Sequence, residues 1–307
     1  MAKPIYKIAD WFHMSYVHWF HLSLNTSDGA MDLLEKNLDK LDWCCYLSQN
    51  TNLKAIELLK ANPDKIDWIL LSENPEAMYL LKANLDKINW ASLSGNTNDE
   101  AIELLKENPN KINWLKLSSN KNQKAIELLK ANLNKINWCY LSKNTKAIEL
   151  LKTNPDKIDW VLLSENPEAM DLIEANQDKI NWGYLSMNTN PRAIKLLEAN
   201  KDKIDWDGLS MNINAIELLK KNKDKINWTN LAYNDNALDL IKDNLEKIYD
   251  YKRHIISQNS KIFILDYKQM AINFEPFAEE IVAKALHPKR INRLMVDYGF
   301  DFEDWFD

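Results

Sequence analysis

Apolar positions recur along the chain in a two-part pattern. The first part, Ala-(Ile/Met)-x-Leu-(Leu/Ile)-x-x-Asn, gathers four apolar side chains on one face of a short helix. The second, Lys-Ile-(Asp/Asn)-Trp-x-x-Leu-Ser-x-Asn, sets Trp and Leu three residues apart, just after an Asp or Asn able to cap a helix N-terminus. That spacing predicts a second helix of one or two turns. The tryptophan falls at Trp19, Trp43, Trp68, Trp90, Trp114, Trp138, Trp160, Trp182, Trp206 and Trp228, in steps of 22 or 24 residues with a single step of 25. Self-similarity at a fixed short period is the signature of a repeat architecture.

The length variation sits in one loop. After Leu-Ser-x-Asn the next Ala comes three residues on, as from Asn74 to Ala77, or five on, as from Asn50 to Ala55. Loops thus absorb the change while the helices keep their length. Asn74-Pro75-Glu76 reads as an N-cap, a first-turn proline and a first-turn acid. The helix ends near Asn84, a residue type that tolerates the left-handed C-terminal conformation. Helices below roughly 12 residues are marginal alone in water, so each module must bury its apolar face against its neighbours. The expected fold is all-α: a right-handed α/α solenoid, or superhelix, of about ten two-helix repeats.

The pattern fails at both ends. Tyr249-Asp250 follows Lys247-Ile248 where Asp-Trp is expected, and Ile256-Ser257-Gln258-Asn259 is a displaced echo of Leu-Ser-x-Asn. The expected organisation is an N-terminal cap over residues 1–18, the repeats over 19–248 and a C-terminal helical cap over 249–307, because exposed terminal repeats need polar covers. Residues 275–286 and 288–296 read as two longer amphipathic helices in that cap.

Composition narrows the function classes. Lys and Arg number 39 against 45 Asp and Glu, a net charge of −6, the wrong sign for affinity built on phosphate neutralisation. Only 5 Gly leaves little for phosphate-cradling loops, and neither a dinucleotide fingerprint nor a Gly-x-x-x-x-Gly-Lys loop occurs. Three cysteines, Cys44, Cys45 and Cys139, make no secreted disulfide framework and point to a reducing compartment. No stretch is long and apolar enough to span a bilayer.

The run Asn-Pro-x-Ala-(Ile/Met)-x-Leu-Leu-x-x-Asn-x-Asp-Lys-Ile-(Asn/Asp)-Trp-x-x-Leu-Ser, as over residues 74–94 and 166–186, resembles a family of short-repeat proteins from Mimivirus-like giant DNA viruses of protists. The tail, Leu286-His287-Pro288-Lys289-Arg290-Ile291 and then Asp297-Tyr298-Gly299-Phe300-Asp301, is similar to the tails of that family. The resemblance implies a viral protein acting in host cytoplasm, virus factory or virion. It implies no catalytic activity.

Several rows of side chains suggest chemistry. The tryptophans could form stacking platforms for single-stranded RNA, one base per repeat. Core packing competes with that reading: a fully buried Trp hides about 200 Å², worth at most ~5 kcal/mol, and so small a module needs it. Acids such as Glu57, Glu103, Glu149 and Glu217 precede Lys60, Lys106, Lys152 and Lys220 by three residues, which reads as ion pairing on a solvated face. A further lysine row, Lys40 through Lys247, follows an acid or Asn each time, so its field is largely cancelled and its stems cover core. His13, His18 and His21 with Cys44 and Cys45 match no zinc spacing. No metal or other cofactor is expected, and no catalytic residues are assigned.

Specificity in a repeat protein sits where side chains vary on a constant frame. Leu70, Ser92, Lys116, Tyr140, Leu162 and Tyr184 follow Trp on the short helices, and Met187, Met211 and Tyr233 follow Leu-Ser or Leu-Ala. Their mixed polar, aromatic and Met character suits a protein-binding surface. The chain is therefore expected to be a non-catalytic interaction scaffold for a host or viral protein, with single-stranded RNA binding as the alternative and a homo-oligomer left open.

Overall fold

A computed structural model of the chain describes residues 4–41, 43, 46–285, 287, 289–290 and 293. It is an all-α repeat solenoid, its only sheet among the described residues being two three-residue strands, β1 (Tyr6–Ile8) and β2 (Phe263–Leu265). Cys44, Cys45, most of the expected helix over 288–296 and the tail from residue 294 lie outside the described residues. The chain divides into two compact units, Ile8–Phe263 and Met1–Lys7 with Ile264–Asp307. In the smaller unit the Asp266 amide donates to the Ile5 carbonyl, and a long helix, Tyr267–Ala285, follows.

In most repeats of the larger unit a short helix beginning at Trp stands beside a longer or bipartite helix, followed by a 3-10 turn. Repeat 5 shows the plan: Trp114–Ser119, then Gln123–Lys130, then Leu133–Lys135. Asn113 caps the short helix by accepting from the Lys116 amide, and Asn122 caps the longer one by accepting from the Lys124 amide. Leu117, Ala125, Ile126 and Leu129 point inward and are buried. At the helix end the Asn84 side chain donates to the Leu80 carbonyl, and the backbone sits at φ −140°, ψ 54°. The expected left-handed cap is therefore not used: the amide satisfies a terminal carbonyl that a left-handed turn would otherwise meet.

Repeats are joined by a buried polar rung. Asn120 is 2% exposed, and its Nδ2 donates to the Ser94 and Asn96 carbonyls of the preceding repeat at 3.0 and 2.9 Å, while its Oδ1 accepts from the Asn122 amide at 2.9 Å. Beside it, Ser118 Oγ donates to the Trp114 carbonyl and accepts from the Asn137 amide of the next repeat. Such rungs recur at Asn25, Asn50, Asn74, Asn96, Asn120, Asn144, Asn166, Asn188, Asn212, Asn234 and Asn259, eleven positions among the described residues, all buried. Every buried side-chain N or O among the described residues has a partner, as an interior this polar requires.

The ladder closes on itself. Asn25, in the first repeat, donates to the Ser257 and Asn259 carbonyls at 3.0 Å each, the same pair of acceptors that most interior rungs, such as Asn120, find one repeat back. The His18 amide donates to Ser257 Oγ, repeating the bond from Asn137 to Ser118. Ile256-Ser257-Gln258-Asn259 is thus an eleventh repeat, with Arg253 in the place of Trp, and the eleventh repeat stacks on the first. Residues expected to cap two separate ends instead meet: Tyr16 and His18 on one side, Arg253 and Ser257 on the other. The repeats form a ring.

One joint departs from the pattern. Ala232 replaces the rung serine, and Asn259 donates to the Asp235 carbonyl at 3.2 Å, one residue past the usual acceptor. A cavity of about 290 Å³ opens there, lined by residues that include Tyr233, Asp235, Gln258 and Ser260.

Asn120→Ala strands two buried carbonyls and one amide, so it should lower stability by ~2–4 kcal/mol in chemical denaturation. In a closed ring Asn25→Ala costs a similar amount. A cost below ~0.5 kcal/mol at Asn25, beside a full cost at Asn120, would show that the first repeat is a free end.

Candidate functional site

The short helices turn one face away from the core. In repeat 3, Trp68–Glu73, the side chains of Leu71 and Ser72 are buried, while Ile69 is 58% exposed and Leu70 and Glu73 are half-buried. This face is the concave side of the ring. Lys116 Nζ reaches Glu73 Oε2 at 2.6 Å, passing over the whole of repeat 4. A Cβ on Gly95, in that intervening repeat, would come within 2.7 Å of Glu73 Oε1. Two side chains with a combined reach of some ten ångströms meet across two helix spacings only if the wall curves toward them. Packed helices lie ~8–10 Å apart, so eleven in a ring enclose an opening roughly 20 Å across between helix surfaces.

Neighbouring positions on this wall touch in a constant register. Phe20 meets Tyr46 of the next repeat at a centroid distance of 4.2 Å. His254, in the eleventh repeat, meets His21 of the first at 4.7 Å in the corresponding positions. Asn227 Nδ2 donates to Asp207 Oδ1, and Cys139 Sγ lies 3.0 Å from Asp159 Oδ2. The Asp159 carboxylate, which accepts the thiol hydrogen, pushes the Cys139 thiol up from its ordinary value. Burial, then the nearby His254, His18 and Lys252, lowers His21 from 6.5 to about 4.

The expected interface residues do share this wall, with differing accessibility. Tyr140, Met211 and Tyr233 are 44%, 39% and 46% exposed. Leu70, Lys116, Leu162, Tyr184 and Met187 are half-buried, with Lys116 committed to Glu73. Ser92 is a correction: at the same repeat position as Leu70 and Lys116, its short side chain is buried at 6% beneath the neighbouring repeats, over which Lys116 reaches Glu73, and it offers no contact surface. Directly after Trp on the same helices, at variable positions of the repeat, the exposed apolar side chains Ile69, Leu115 and Val161 extend the same wall.

Trp43, Trp68, Trp90, Trp114, Trp138, Trp160, Trp182, Trp206 and Trp228 are half-buried and packed against the core. The lysine row is engaged with them. Lys87 Nζ stands 4.8 Å above the Trp68 ring and Lys111 4.1 Å above Trp90, each lysine coming from the 3-10 turn that ends the same repeat, and Trp19, Trp160, Trp182 and Trp228 are each covered by a lysine of the same row. The face a nucleobase would stack on carries a cation instead. The anticipated i,i+3 pairs form at Glu57–Lys60, Glu103–Lys106, Glu149–Lys152 and Glu217–Lys220, all on the exposed outer helices.

His13 caps a 3-10 turn by accepting from the Ser15 amide, and no group of three His, Cys, Asp or Glu among the described residues could hold a metal ion. No described helix is long and apolar enough to cross a membrane. The chain matches no protein-family model, no curated protein and no solved structure.

Cys139 is exposed, yet its proton is held by Asp159. Asp159→Asn keeps a side-chain oxygen to cap Trp160–Ser164 and removes the charge. At pH ~8 it should speed alkylation of Cys139 several-fold, read site by site from peptide masses.

Proposed function

We propose that the chain is a non-catalytic scaffold whose inner wall holds a segment of a protein partner. The observation that carries this reading is the character of that wall. Ile69, Leu115, Tyr140, Val161, Met211 and Tyr233 all stand exposed on it, whereas its charges are largely spent on one another, as Glu73 on Lys116 and Glu165 on Lys143. Exposed aromatic, aliphatic and Met side chains in one concavity are the composition of a protein-recognition surface. An opening of the size estimated above admits an α-helix, with its diameter of ~10–12 Å, or an extended segment.

The same wall gives little support to catalysis. A nucleophilic thiol needs a depressed pKa, and Cys139 is shifted the other way. Nucleic-acid affinity would draw on lysines already paired or seated over tryptophan. With the resemblance to giant-virus repeat proteins, this favours a host or viral protein as partner, met in the cytoplasm or virus factory of an infected cell.

The reading is tested by affinity capture from infected cells with and without nuclease. A protein retained after nuclease, and bound at least tenfold more weakly by the Tyr140→Ala/Met211→Ala variant at unchanged stability, is expected. Loss of every bound protein on nuclease treatment would replace this reading with RNA binding.

A further inference from the structure

Ten of the eleven joints in the ring are continuous in the chain; the joint between the eleventh and first repeats is held without covalent connection. Three of the chain's 5 histidines gather there. His254 lies with ring centroids 4.7 Å from His21 and 5.3 Å from His18, and His18 lies 5.4 Å from His21. His18 and His21 belong to the first repeat and His254 to the eleventh, so the cluster straddles the joint. Around it stand Lys252, whose charge acts on both His21 and His254, Arg253, which donates to the Tyr16 hydroxyl across the joint, and Gln258, whose Nε2 lies 2.6 Å from His21 Nδ1.

We propose that this joint is a pH-operated latch, in which neutral His21 and His254 hold the ring closed and their protonation drives the first and last repeats apart. Imidazolium charges on His21 and His254, whose rings lie 4.7 Å apart across the joint with Lys252 beside them, repel one another; hydrogen bonds, ring contacts and apolar packing such as that of Phe263 on Gly29 hold the two sides together against that repulsion. Protonated His21 Nδ1 also ceases to be an acceptor for Gln258. At the other joints the matching positions carry no histidine, as in the pairing of Phe20 with Tyr46. The titrating groups are thus concentrated at the one joint that can part without breaking the chain.

The direction of the effect follows from linkage. His21 is lowered to about 4 in the closed ring, and His254 is lowered as well; once separated they regain ordinary values near 6.5. The open ring therefore binds more protons between pH ~6.5 and ~4, and closure weakens as pH falls through that window. The linkage limit for His21 alone is about 30-fold between pH ~7.5 and ~5, and partial solvent exposure brings this to roughly tenfold. Opening would expose the inner wall laterally, a consequence that rests on the scaffold reading; the latch itself does not.

Amide hydrogen exchange of the intact chain, corrected for intrinsic rates, reads rare opening directly. The reporters are the His18 and Ala9 amides, whose acceptors Ser257 Oγ and Ile262 O lie across the joint, with the Leu141 amide in the sixth repeat as the internal control. Between pH ~7.5 and ~5 their protection should fall about tenfold while Leu141 holds its own. His18→Gln/His21→Gln/His254→Gln should abolish the difference, and the single His254→Gln change should at least halve it if the triple variant does not fold. Equal loss of protection at all three amides, no loss at the joint, or the same response in the single variant as in the unaltered chain would overturn the latch. None of these outcomes depends on whether a protein partner is captured.

Discussion

The buried asparagine is the constraint on which the ring depends. Each repeat is too short to enclose a core, and its helices end in carbonyls that the next repeat covers, so something must satisfy those carbonyls at the joint. An asparagine amide offers two donors and one acceptor on a short stem, and the rung uses all three: two carbonyls one repeat back and one amide two residues ahead. Aspartate has no hydrogen to give, and serine has one. The demand also explains why length variation is confined to the segment after the rung. Two extra residues before Ala101 leave Asn96 bound to Ser72 and Asn74 just as Asn234, which Ala237 follows three residues on, is bound to Ser210 and Asn212.

Closure follows from repeating this joint. One side of each repeat is a helix of four to six residues and the other a longer or bipartite one, so each step adds the same small bend toward the short side. Once the bends sum to a full turn, the eleventh repeat meets the first with the acceptors every other repeat presents. The first and eleventh repeats then cover one another, so Arg253 to Asn259, expected in a cap, stand in the wall, while Tyr267–Ala285 belongs to the smaller unit. The cost is concentrated at the tenth joint. There Ala232 cannot make the serine bond, the asparagine slips by one carbonyl, and a cavity remains.

Much of this was legible in the residues. The period, the two helices, the N-caps at Asp67 and Asn113 and the outer ion pairs follow from local chemistry: a capping side chain and an i,i+3 pair are decided within one turn of helix. Closure was not, because curvature is a sum of per-repeat rotations that no single residue encodes. The eleventh repeat was hidden by Arg253 in the tryptophan position; the signal was present in Ile256-Ser257-Gln258-Asn259, whose Ser-x-Asn spacing is the part of the motif that forms the rung. Ser92 was misread because a residue following Trp lies at the edge of the helix face, where exposure depends on the neighbouring repeat's bulk.

The tryptophans and lysines show how the ring separates framework from recognition. Each covered Trp packs against the core and carries over its ring a lysine from the turn that ends its own repeat. The cation stands over the aromatic ring, so these lysines are engaged with the framework and add little field to the inner wall. With framework charge used in this way, what distinguishes one repeat from the next on the concave side is shape and apolarity: Tyr140, Val161, Tyr184 and Met211 against Gly95 and Gly183. A surface that varies in this manner around a closed ring has no rotational symmetry. Each of the eleven steps therefore presents a different set of side chains, which under the proposed scaffold reading would select the orientation of a partner segment as well as its composition.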